Sequence, residues 1–135
     1  MVVAVRWLVA AVSVVAVAGI AYAEDLSPKN RVELKRAELS VPGGNMEVIL
    51  ATAEFQPGDF IPRHIHHGEE AVYVIQGATV ETPDGKQMEL KTGTGLINLR
   101  DVPHGGIKIV GHTALKLVGV QVVDKGKPIW DAPPK

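Results

Sequence analysis

The chain has 135 residues, a length that fits one domain. Its 14 basic and 15 acidic side chains nearly cancel, so nothing marks a nucleic-acid or anionic-lipid partner. It has no cysteine, which excludes disulfides, thiolate nucleophiles, Cys-based zinc sites and a lipid-anchored cysteine.

Residues 1–23 read as an export signal. A short n-region with one basic side chain, Arg6, precedes the apolar run WLVAAVSVVAVA, and Ala21-Tyr22-Ala23 supplies a small-x-small cleavage pattern. Cleavage after Ala23 is expected, which puts the mature chain in the periplasm or outside the cell, free of the membrane. An uncleaved anchor is the alternative, with a run at the short edge of what spans a bilayer. No twin-arginine pair is present, so the general secretion route is expected and any metal would be acquired outside the cytoplasm.

After residue 23 no stretch has convincing helical periodicity, and short β-rich runs separated by Pro and Gly predict an all-β sandwich or barrel. Residues 31–39 alternate before Arg36 and favour a strand over a short helix. Further strands are predicted at 46–55, 71–76, 79–82, 87–90, 95–99, 106–110 and 114–123. Pro83-Asp84-Gly85-Lys86 is a hairpin turn signal between two of them. The tail GKPIWDAPPK is rich in proline and is expected to lie across the surface.

The chemistry concentrates in GDFIPRHIHHGEEAVYVIQG, residues 58–77. Residues two apart on a strand share a face, so His64 and His66 point together and His67 points away. The Gly68 that follows suggests a bend there, after which Glu70 could return beside the two imidazoles. Two histidines and a carboxylate begin a mononuclear metal site, and a further ligand would come from His104 or His112. His112 beside Gly111 suits a solvated turn. Burying such groups together without a cation would leave unpaired polar atoms costing several kcal/mol each, on the order of 2–7. Parity also turns Val72, Val74 and Gln76 inward with Glu70, turns Tyr73 outward, and places Phe60 and Pro62 on the side of His64 at the barrel mouth. Lys108 shares the parity of His104 and could reach the pocket to hold an anionic group, although a lysine snorkelling to the rim is the favoured reading. His67 and Glu69 are expected to face solvent or to support the ligands from behind.

These residues resemble the cupin superfamily. Its first motif, G-x5-H-x-H-x3-E-x6-G, is matched at every fixed position by Gly58, His64, His66, Glu70 and Gly77, and the spacing selects Glu70 over Glu69. In the second motif, G-x5-P-x-G-x2-H-x3-N, Gly93 and His104 match, while Leu99, Asp101 and Lys108 replace the proline, glycine and asparagine. The resemblance is to the small single-domain cupins. It implies a double-stranded β-helix (jelly-roll) barrel over residues 46–123, an N-terminal extension or edge strand at 24–45, and a tail at 124–135. It implies one divalent transition metal (Fe, Mn, Zn, Ni, Co or Cu) held by His64, His66, Glu70 and His104, with Glu70 alternatively acting as a general base. The first expectation is a metal-dependent enzyme acting on a small organic molecule, oxygenase-like, with lyase and isomerase chemistry also open. The alternative is a non-catalytic module that binds or senses a metal or small molecule. Pairing of two copies through residues 31–40 is a further expectation.

Overall fold

In the computed structural model, described over residues 24–42 and 44–135, every regular element is a strand. The expected export signal lies outside the described residues. Among those described, no helix is long and apolar enough to cross a membrane. The strands are β1 (Arg31–Leu39), β2 (Met46–Phe55), β3 (Phe60–Ile61), β4 (Gly68–Gln76), β5 (Ala78–Glu81), β6 (Gln87–Leu90), β7 (Gly95–Asn98), β8 (Ile107–Val110) and β9 (Leu115–Asp124). They form two antiparallel sheets, ordered β1-β2-β9-β4-β7 and β3-β8-β5-β6. The double-stranded β-helix expected from the sequence is therefore the fold, and the segment at 31–39 is a strand.

Alternation explains the layers. Ile49, Val74, Leu115 and Val123 project from the larger sheet and Val80 and Ile109 from the smaller, and all are almost fully buried. The β5–β6 hairpin closes through Thr82-Pro83-Asp84-Gly85, where Gly85 adopts φ +78° and the Thr82 amide donates to the Lys86 carbonyl. The core also includes Ile129 and Trp130, 5% and 6% exposed. The tail expected on the surface thus contributes two apolar side chains to the interior, and its prolines bracket an inserted segment. Antiparallel bridging of Ile65 with Asp131, with an amide-to-carbonyl bond in each direction, fixes that strap across the barrel mouth.

The hollow between the sheets follows from small residues. Ala51 on β2 lies opposite Gly119 on β9, and Ala53 lies opposite Leu117. Two methyl groups and a glycine cannot fill the space that larger side chains fill farther down the barrel, and a cavity of about 160 Å³ remains.

Candidate metal centre

Three imidazoles meet beside this cavity, His64 and His104 in its wall and His66 buried behind them, each delivered by irregular backbone. His64 and His104 face each other in an isolated antiparallel bridge, the His64 amide donating to the His104 carbonyl at 2.9 Å and the reverse bond measuring 3.0 Å. A side chain at Gly105 would stand 2.5 Å from the Pro62 carbonyl oxygen, and φ there is +78°, so glycine permits this approach. His66 follows on the same segment, and the chain bends at His67 before β4 begins. The candidate ligand nitrogens of His64, His66 and His104 all lie within 4.8 Å of one another.

The ring protons are fixed by what lies behind each histidine. Nδ1 of His64 is 2.8 Å from the Pro62 carbonyl, Nδ1 of His66 is 2.6 Å from that of Ile129, and Nδ1 of His104 is 3.0 Å from that of Val102. A carbonyl can only accept, so each neutral ring carries its proton on Nδ1 and presents a bare Nε2 lone pair. Those lone pairs converge. Nε2 of His66 lies 3.1 Å from Nε2 of His104, and Nε2 of His64 is buried without a hydrogen-bond partner among the described residues.

Glu70 stands beside the cluster from a regular strand. Its Oε2 is 3.1 Å from Nε2 of His66 and 3.9 Å from Nε2 of His104. It also accepts from the Asn98 side-chain amide at 2.7 Å, while Oε1 accepts from that of Gln121 at 3.1 Å. Burial alone would raise the Glu70 pKa, but a proton shared from His66 Nε2, the Asn98 amide and the nearby His104 together hold it below the ordinary value, and a metal ion at that Nε2 would take the place of the proton. Burial pushes the His64 pKa down to about 4, opposed by its bond to the Pro62 carbonyl and reinforced by His104 and His66. Burial lowers His104 in the same direction. Neutral imidazoles and an anionic carboxylate are the protonation states that metal ligation requires.

The donor set fits a transition metal on this geometry. Lone pairs aimed at one another at 3.1 Å repel unless a cation or proton stands between them. The orphaned Nε2 of His64 is the kind of buried polar atom that folded proteins seldom leave without a partner. Imidazole nitrogens with one carboxylate suit Fe, Mn, Co, Ni, Cu or Zn rather than Ca or Mg.

Several sequence expectations need correction. Ile61, not Phe60, faces the cavity, and Phe60 is 59% exposed. Strand parity ends with β3 at Ile61, and Pro62-Arg63 shift the phase before His64. Lys108 is exposed and stands outside the cavity, whose wall there is Ile107. The positive-φ pair Gly105-Gly106 breaks the alternation that would have carried Lys108 inward. Val72 lines the cavity, Val74 is buried and Tyr73 faces outward as expected. His112 is exposed, and His67 bridges Asp101 and Asp131 at 2.9 and 3.0 Å. Asp101, standing where the second motif has glycine, adopts φ 56° and so keeps the left-handed turn.

Four contributors went unseen in the sequence. Trp130 stacks on His64 with ring centroids 3.6 Å apart and planes 3° from parallel. Asn98 and Gln121 orient Glu70, and Arg31 donates from Nη2 to Oε1 of Gln121 at 2.9 Å. Gln121 was the most visible of them, a lone amide inside the apolar run LVGVQVV.

The Cupin domain family model matches residues 51–120. No curated protein matches the chain. Among solved structures, an uncharacterized conserved protein with a double-stranded β-helix domain from Klebsiella pneumoniae is similar, at 20% identity and TM-score 0.55 over 84% of this chain and 92% of that one. A cupin domain from Bordetella pertussis aligns at 17% identity and TM-score 0.48, over 77% and 98% of the two chains. The polyketide cyclase RemF from Streptomyces resistomycificus aligns at 23% and TM-score 0.49, over 70% and 66%. The family match spans just over half of the sequence and takes in His64, His66, Glu70 and His104, on a barrel of the same architecture: the chain belongs to the cupin domain family.

Proposed function

We propose that this protein is an exported, metal-dependent cupin enzyme of oxygenase type acting on a small organic molecule. The observation that carries the reading is the convergence of three Nε2 lone pairs and the Glu70 carboxylate beside an apolar cavity. His64, His66, His104 and Glu70 would hold the ion. A divalent transition metal there supplies a Lewis acid and, if it is iron or manganese, a redox centre.

The chain's own residues do the remaining work. The carbonyls of Pro62, Ile129 and Val102 hold the three Nδ1 protons and so keep each Nε2 available. Asn98 and Gln121 occupy one oxygen each of Glu70, which supports its reading as a fixed ligand over that of a mobile general base. Val72, Ile107 and Leu115 keep water from the substrate side of the cavity.

Oxygen uptake by Fe(II)-loaded protein, offered small organic acids and phenols, tests the reading. Consumption that disappears in His104→Ala is the expected result. Saturable binding without consumption of oxygen or ligand would move the assignment to the non-catalytic alternative, a metal or small-molecule binding module. Pairing of two copies through β1 is part of the same proposal, since β1 is an edge of the five-stranded sheet.

A further inference from the structure

The cavity beside the candidate metal centre is apolar except for the metal-site groups, the side chains of Asn98, Gln121 and Thr52, and one guanidinium, that of Arg31. Arg31 comes from β1, outside the segment matched by the family model. A β-bulge at Leu34 sets its phase, for register shifts between Glu33 and Lys35, so that Arg31 lies opposite Ala53 and both line the cavity.

Its surroundings are unusual for an arginine. Arg36 pairs with Glu33 and Glu47, and Arg100 with Asp124. Arg31 is partly buried, yet among the described residues no carboxylate oxygen lies within 4.0 Å of it, and its recorded side-chain bond is the one to neutral Gln121. Burial lowers its pKa, with Glu33, Asp25 and Glu70 offsetting that only from longer range. A charge held half out of water without a counter-ion is costly unless something supplies the negative partner. The Gln121 bond engages Nη2 and holds the planar group in place, which leaves Nη1 and the outer edge to meet a ligand.

Building on the enzyme reading above, we propose that Arg31 is the substrate-anchoring residue of this site and that the substrate is a small monocarboxylic acid with an apolar body. The planar fork matches a carboxylate in two parallel hydrogen bonds. A phosphate would bring a second negative charge, and no lysine or second arginine lines the cavity to meet it. The small volume and the Ala51, Ala53 and Leu117 wall select a short aliphatic or branched body.

The test compares 2-methylpropanoate with its neutral isostere 2-methylpropanamide on Zn(II)-loaded protein, by chemical-shift titration. Wild type should bind the acid roughly tenfold or more tightly than the amide, the range of a charge-assisted pair. Arg31→Gln, which retains a donor for Gln121, should lower that preference by about tenfold with zinc content unchanged, and Arg31→Lys should fall between. No preference in wild type overturns the proposal. A preference that Arg31→Gln leaves intact also overturns it, because the carboxylate then sits on the metal, and the metal reading survives. If the protein takes up none of Fe(II), Mn(II) and Zn(II), the metal reading fails instead, and the same acid–amide comparison on metal-free protein decides the role of Arg31 alone.

Discussion

The candidate metal centre is assembled from two kinds of backbone. Glu70, Asn98 and Gln121 sit on paired strands of the five-stranded sheet, where register fixes them: Glu70 lies opposite Asn98 on one side and Gln121 on the other. His64, His66 and His104 sit on irregular segments at the barrel mouth, and what fixes them is individual contacts: a bridge, three carbonyls and a stacked indole. The carboxylate half is held by a ladder that exists for reasons of folding. The imidazole half depends on a strap of tail that wraps back over it. A metal site built this way should lose its two halves independently.

Removing the strap's anchor should have the largest effect. Trp130→Ala deletes a buried ring from the core and the stack on His64, and should cost about 3–5 kcal/mol in urea unfolding. If the comparison holds, metal affinity falls with it while the amide chemical shifts of β4 and β9 stay close to those of wild type. A cost below about 1 kcal/mol would mean that the strap does not hold the imidazoles. Gln121→Leu attacks the other half. It frees Oε1 of Glu70 and the guanidinium of Arg31, and should weaken metal binding by roughly 10–100-fold, with little loss of fold stability.

Acid separates the halves less sharply. The folded-state pKa of His64 is depressed to about 4 and that of His104 is also lowered, against an ordinary 6.5. The unfolded chain therefore binds more protons than the folded one between those values, and stability must fall as pH falls through that window. Glu70, also depressed, adds in the same direction below its ordinary 4.5. Melting temperatures of metal-free protein should decline from about pH 6.5 toward pH 4, and His64→Gln should flatten part of that decline. The smallest effect belongs to Lys108→Ala, which should leave metal affinity unchanged and stability within about 0.5 kcal/mol, because that side chain is outside the cavity.

The same division decides what could be read from the sequence. Alternation orients Val72, Tyr73 and Val74 correctly because β4 is regular across them. It misplaces Phe60 because Pro62-Arg63 shift the phase, and it leaves Lys108 open because Gly105-Gly106 do the same; one residue of slip turns a side chain to the opposite face. His64, His66, Glu70 and His104 were legible through spacing matched to a family pattern, which already encodes that irregular backbone. Trp130 and Arg31 were not, because each acts across more than fifty residues of chain from a segment whose local pattern is ordinary. Asp101 shows the converse, where a substituted motif residue keeps the turn by adopting the conformation of the glycine it replaces.

Metal content by elemental analysis bears most directly on the central claim. Wild-type protein exposed to equimolar Fe(II), Mn(II) and Zn(II) and then desalted should retain about one transition-metal ion per chain. His66→Ala, which removes the ring whose Nε2 lies 3.1 Å from both His104 and Glu70, should retain almost none. Wild type that emerges without metal, or a His66→Ala variant that keeps its ion, would contradict the assignment.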